Sequence, residues 1–142
     1  MDEFHELLKT VCKRPGMYVE QWNFDRVALF LKGCDLAWDH LKPGEKNTGF
    51  NGFRQWVAVR LDSCVRTDWS AIIANEDVGP DKIAALVQLY GEFVKDRQSR
   101  GLDSIRADFE RLSNAVWAGE RKRTCFCERR IDSELQEADP ED

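Results

Sequence analysis

Along most of this chain the apolar residues recur three and four positions apart, the spacing of one helical face and not the alternation of a strand. Phe4, Leu7, Leu8 and Val11 make the first such stripe, with Cys12 beside them. Val27, Phe30, Leu31, Cys34, Trp38 and Leu41 make a second, and Phe50, Phe53, Trp56, Val57, Leu61 and Cys64 a third. The short segment "DWSAII" reads as a helical turn or two opened by Asp68. Ile83, Leu86, Val87, Tyr90, Phe93 and Val94 give the clearest stripe, and Ile105, Phe109, Leu112 and Val116 carry the spacing on to about Trp117. No segment shows sustained strand alternation bounded by turn residues. The pattern therefore predicts an all-α fold, a single-domain bundle of five to six helices.

The residues between the stripes agree with that division. Lys9, Lys13 and Arg14 suit the negative end of a first helix, and Pro15 forbids its continuation because it has no amide hydrogen to donate. Asn23 is suited to cap the second helix, Asp25 to its first turn, and Pro43 with Gly44 to its end. Pro80 suits the first position of the clearest helix and Asp81 its positive end, while Gly91 weakens that helix by roughly 1 kcal/mol relative to alanine. In "KRPGMYVE" the Pro15–Gly16 pair fits the centre of a type II turn, which predicts that Met17 and Tyr18 drop into the core between the first two helices.

A chain of 142 residues suffices for one core and is short for two. We divide it into a helical domain, residues 1–118, and a charged C-terminal tail, residues 119–142, expected to be partly disordered. The tail runs from basic "ERKRTCFCERR" to "DSELQEADPED", six acids without a base, and offers little apolar surface to offset the entropy of ordering. The opening "MDEFHELLKT" is unlike a signal peptide and no apolar run reaches membrane-spanning length, so the expected location is cytoplasmic, with no membrane partner. A net charge of −5 argues against nucleic acid as a partner.

Several residue sets invite a chemical reading. Cys125 and Cys127 form a Cys-x-Cys pair among five arginines and lysines, a setting that lowers thiol pKa and could hold a soft metal. A zinc site needs more ligands, and His5 and His40, the two histidines, are not spaced as a ligand pair. Cys12, Cys34 and Cys64 read as buried thiols. The signatures of nucleophilic, phosphate-loop and zinc-protease chemistry are missing, so no catalytic residue, no metal and no cofactor is assigned and the chain is not expected to be an enzyme. Trp22 and Trp117 flank their helices and are candidate contact anchors. Asp62, Asp68, Glu76, Asp77 and Asp81 gather in the links around the short fourth segment, where they could form an acidic binding rim.

"RPGMY" also occurs near the N-terminus of gyrase-type ATPases. The helix that follows here, "DRVALFLKGCDLAWDHL", carries none of the paired acids and Asn those enzymes use for magnesium and water, and "NEDVGPD" places Pro80 where an adenine-reading loop wants glycine. A second resemblance reaches further. Arg14 to Tyr18, then Phe53, Trp56, Val57 and Arg60, then Trp69, Ser70, Ile72 and Ile73, then Glu92 and Phe93 match a group of small bacterial proteins that open with this motif. These resemble the immunity proteins encoded beside bacterial toxins. The match spans roughly residues 6 to 97, and Val19 and Glu20 depart from it. The resemblance implies a protein partner, a cognate toxin, neutralised by direct binding; Trp22, Trp117 and the acids, read from their own positions, are the expected contact set. The alternatives are a helical adaptor or self-associating structural module, and a thiol or metal protein built on Cys125 and Cys127. The sequence sets no oligomeric state.

Overall fold

A computed structural model describes residues 3–63 and 65–119. The described residues form six α-helices and no strand: α1 (Glu3–Lys13), α2 (Phe24–Leu41), α3 (Phe53–Arg60), α4 (Trp69–Asn75), α5 (Lys82–Arg100) and α6 (Leu102–Trp117). The expected all-α bundle is what the chain forms. The helix starts follow local chemistry. Asn23, Asp68 and Asp81 are N-caps whose side-chain oxygens accept from the amides of Arg26, Ser70 and Ala84, satisfying donors that a helix start leaves open. Pro80 therefore sits just ahead of the Asp81 cap rather than at the first helical position.

The core is aromatic. Phe50, which precedes α3 rather than belonging to it, lies between Phe4 (5.1 Å between ring centres), Trp69 (4.5 Å) and Tyr90 (5.5 Å). Phe53 packs on Tyr90 and Phe93 at 5.5 and 5.2 Å. Edge-on and tilted contacts of this kind add about 1 kcal/mol each to the burial itself. Helix α5 runs through the middle, burying Leu86, Leu89, Tyr90, Phe93 and Val94. Around it α1, α3, α4 and α6 each lay an apolar face, and α2 reaches the bundle through α1 and α4.

The connection from α2 to α3 turns inward. The Tyr90 hydroxyl donates to the Gly49 carbonyl at 2.7 Å, and the buried Arg97 guanidinium donates to the carbonyls of Thr48, Gly49 and Asn51 at 3.1–3.3 Å. The Asp35 carboxylate accepts the Phe50 amide at 3.2 Å. Gly49 and Gly52 both take positive φ, and a side chain on Gly52 would come within 2.6 Å of Leu102. Glycine is thus required at position 52 by backbone and by space together. At the α5–α6 corner, Arg100 grips Asp96 through two bonds of 2.7 Å and Asp108 through a third, while Asp96 also accepts the Trp56 indole N–H at 2.9 Å.

Three expectations are corrected. Pro15–Met17 forms a short 3-10 turn, with Tyr18 and Val19 amides donating to the Pro15 carbonyl, and Gly16 has no positive φ, so this is not a type II turn. Pro15 enters the core instead of the residues after it: Met17 and Tyr18 are exposed. On α2, Phe30 and Leu41 lie outside while Ala28 takes an inner position. The third helix starts at Phe53 and ends at Arg60, leaving Leu61 as its C-cap. The tail beyond Gly119 and Cys64 lie outside the described residues.

Gly91 is helical with ordinary φ, and a methyl there would meet the His5 ring at 3.8 Å, normal contact distance. Gly91→Ala is expected to stabilise the fold by about 1 kcal/mol, read as a rise in the urea midpoint. The Arg100 contacts hold the Asp96 carboxyl below the usual carboxylate range, with Trp56 adding to the effect against an opposing cost of burial. A lowered folded pKa gives stability that is present above the ordinary aspartate value and lost as pH falls through the folded one. Asp96→Asn should therefore cost about 1.5 kcal/mol at neutral pH, and the gap to wild type should close in acid, below pH ~4, in thermal melts run as a pH series.

Candidate functional site

The segment joining α1 to α2 is short of apolar partners and is held by backbone bonds. Arg26 donates to the carbonyls of Glu20 and Gln21, both at 3.3 Å, and Gln21 takes a left-handed φ of 47°. This fixes Trp22 over Gly16, whose missing side chain would begin 3.5 Å from the indole. Trp22 then faces the start of α5. Together with Phe24, Pro80, Asp81, Lys82 and Ile83 it lines a hollow of about 440 Å³ with mostly apolar walls. The indole remains 51% exposed, a large amount for an uncharged ring of this size.

Two of the contact residues expected from sequence, Trp22 and Asp81, therefore share one hollow. The other acids each have local roles. Asp68 caps α4, accepts the Ser70 hydroxyl at 2.7 Å and ion-pairs with Lys32. Burial alone would raise its pKa, but the Lys32 and Ser70 hydrogen bonds outweigh that and hold it low. Glu76 accepts the Ser63 hydroxyl at 2.9 Å, and its carbonyl takes the Lys82 ammonium at 2.7 Å. Asp62 occupies a left-handed turn after α3, its φ being 55°. Asp77 lies at a separate, smaller hollow beside Arg60, Val78 and Gln88. Trp117 is 69% exposed and stands away from Trp22, with the Arg66 guanidinium 4.6 Å above its ring. Most of these five carboxylates serve caps and turns.

A third hollow, about 340 Å³, lies over the Trp56–Asp96–Arg100 corner and includes Arg60, Glu92 and Asp108. Its charges engage one another: Arg60 reaches Glu92 at 3.4 Å, and Arg100 takes both aspartates. Among the described residues no three His, Cys, Asp or Glu side chains converge as metal ligands would. His5 is packed edge-on to Tyr90 at 5.4 Å. No described helix is long and apolar enough to cross a membrane.

Sequence reasoning missed the apolar surface outside α2, where Leu29, Leu36 and Leu41 are well exposed. The signal was present: Leu29 and Leu36 are seven apart and off the inner stripe, so α2 carries apolar residues on two sides. The expected burial of Cys12 and Cys34 is partial, both thiols being half-buried. Burial, helped by the nearby Asp81 charge, pushes the Cys12 thiol up to about 11, and burial also raises Cys34. Cys125 and Cys127 lie outside the described residues. Alkylation at neutral pH, mapped by peptide mass, should mark Cys12 at least about tenfold more slowly than an unhindered thiol, since the thiolate is the reacting form. Comparison of the chain with protein-family models, with curated proteins and with solved structures gives no match.

Proposed function

We propose that the chain is a non-catalytic protein-binding domain whose contact centre is the hollow between Trp22 and the start of α5. The observation that carries the reading is the half-exposed Trp22, carried on a loop that Arg26 bonds on the N-terminal side and set beside an apolar depression. Tryptophan in such a setting is the residue type that most often dominates a binding interface, because it contributes large area at little conformational cost. Met17 and Tyr18, on the preceding turn, are also exposed.

Its specific form, following the resemblance carried by Arg14 to Tyr18 and by Trp69, Ser70, Ile72 and Ile73, is a bacterial immunity protein that covers the working surface of a cognate toxin. Asp62, Asp77 and Asp81 are the exposed members of the acid set and would steer a basic partner, a contribution to association rate more than to affinity. Asp68 contributes less to steering because Lys32 already offsets its charge.

The test is co-expression with the product of the adjacent gene, read as restored growth, followed by titration of the two purified proteins. Trp22→Ala is expected to weaken binding by about 2 kcal/mol, roughly 30-fold in Kd, with the melting temperature unchanged. Absence of growth rescue would remove the toxin partner, and full affinity in the Trp22→Ala variant would remove this hollow as the contact centre.

A further inference from the structure

Helix α2 is apolar on two sides. Val27, Ala28 and Leu31 are buried on the inner one. On the outer one Leu29 is 70% exposed and Leu36 61%, Phe30 and Ala37 are also exposed, and Gly33 between them has no atom within 4 Å of where a side chain would begin. No charge interrupts this strip. Lys32 turns to Asp68 and Ser70, and Asp35 turns to the Phe50 amide. A helix apolar on both sides belongs in an interior, and among the described residues the bundle supplies cover for one side only.

We propose that the outer strip is where two copies of this chain associate, their α2 helices antiparallel about a two-fold axis at Gly33. The strip reads alike from either end: Leu29 and Phe30 precede Gly33 by four and three residues, and Leu36 and Ala37 follow it by three and four. A two-fold interface demands this self-complementarity, whereas an unrelated partner gives no reason for it. In the antiparallel arrangement, residues on the same side of the crossing and one position short of equal distance from Gly33 come together. Leu29 then meets Leu36 of the second copy, the Phe30 ring meets the Ala37 methyl, and the two Gly33 backbones cross closely.

The charges at the ends fit the same arrangement. Asp25 in the first turn comes beside His40 in the last turn of the second copy, whereas a parallel pairing would set each against its own kind. Arg26, which would otherwise crowd His40, is drawn off by its bonds to the Glu20 and Gln21 carbonyls. Tyr18, with its ring 6.3 Å from Phe30, borders the strip. One helix pair is a small interface, so association in the micromolar range is expected.

Sedimentation velocity on the full chain, from low to high micromolar concentration, should show a reversible dimer. Leu29→Lys with Leu36→Lys should raise the dissociation constant at least about tenfold while leaving helical circular dichroism intact, because both positions are exposed. Asp25→His and His40→Asp should each weaken the dimer, and the two together should restore it. A chain that stays monomeric throughout, or a dimer indifferent to the double lysine variant, overturns the proposal; failure of the exchanged pair to restore association overturns the antiparallel register.

Discussion

The carbonyl oxygens of Thr48, Gly49 and Asn51 turn into the protein rather than out to water, and they share one terminal nitrogen of the Arg97 guanidinium as donor. A buried guanidinium and a buried set of carbonyls are each costly alone; together they satisfy one another. The Phe93 ring, 4.6 Å from the guanidinium, gives the cation a favourable face, and Tyr90 adds a second donor to Gly49. Both donors belong to α5, so the central helix dictates where the link between α2 and α3 runs. The link in turn places Phe50 in the aromatic cluster and sets Gly52 under Leu102, which seats the start of α6.

This arrangement explains which parts of the fold were legible in the sequence. The stripes of α1, α5 and α6 identified their helices because each has one apolar face and one covered side. Asn23, Asp68 and Asp81 marked starts because a short polar side chain beside a helical pattern has a definite local use. The inward link was hidden: "KNTGFNG" looks like an exposed loop, and its burial depends on donors more than forty residues away. Phe50 sits at helical spacing from Phe53 but precedes the helix, since periodicity reports a shared face and not a hydrogen-bond pattern. Met17 and Tyr18 were misplaced because the turn they follow is a 3-10 turn, which delivers Pro15 to the core and carries the next residues outward.

The candidate site divides along similar lines. Trp22 and Trp117 stood out in the sequence as rings with no stripe to join, and both are exposed. The acids could not be sorted by sequence, because a carboxylate in a link is equally ready to cap a helix, bind a lysine or face a partner. Only the fold assigns Asp68 to Lys32 and Ser70, Glu76 to Ser63, and Asp81 to both the α5 cap and the Trp22 hollow. The outer strip of α2 escaped notice for a related reason: apolar spacing says that a face wants cover, not whether one chain contains enough helices to provide it.

Gly52 carries a consequence for how related chains could diverge. Its φ of 89° disfavours a side chain on conformational grounds, and Leu102 at 2.6 Å crowds one on steric grounds. Trimming residue 102 would relieve the second constraint and leave the first, so a change at the α6 start alone does not free position 52. Covariation between the two sites should therefore be lopsided: residue 102 can drift in size beneath the glycine, while a side chain at position 52 needs both a smaller residue 102 and a left-handed backbone it tolerates. Lineages of this fold would record their history in the α6 start and hold the α2–α3 link fixed.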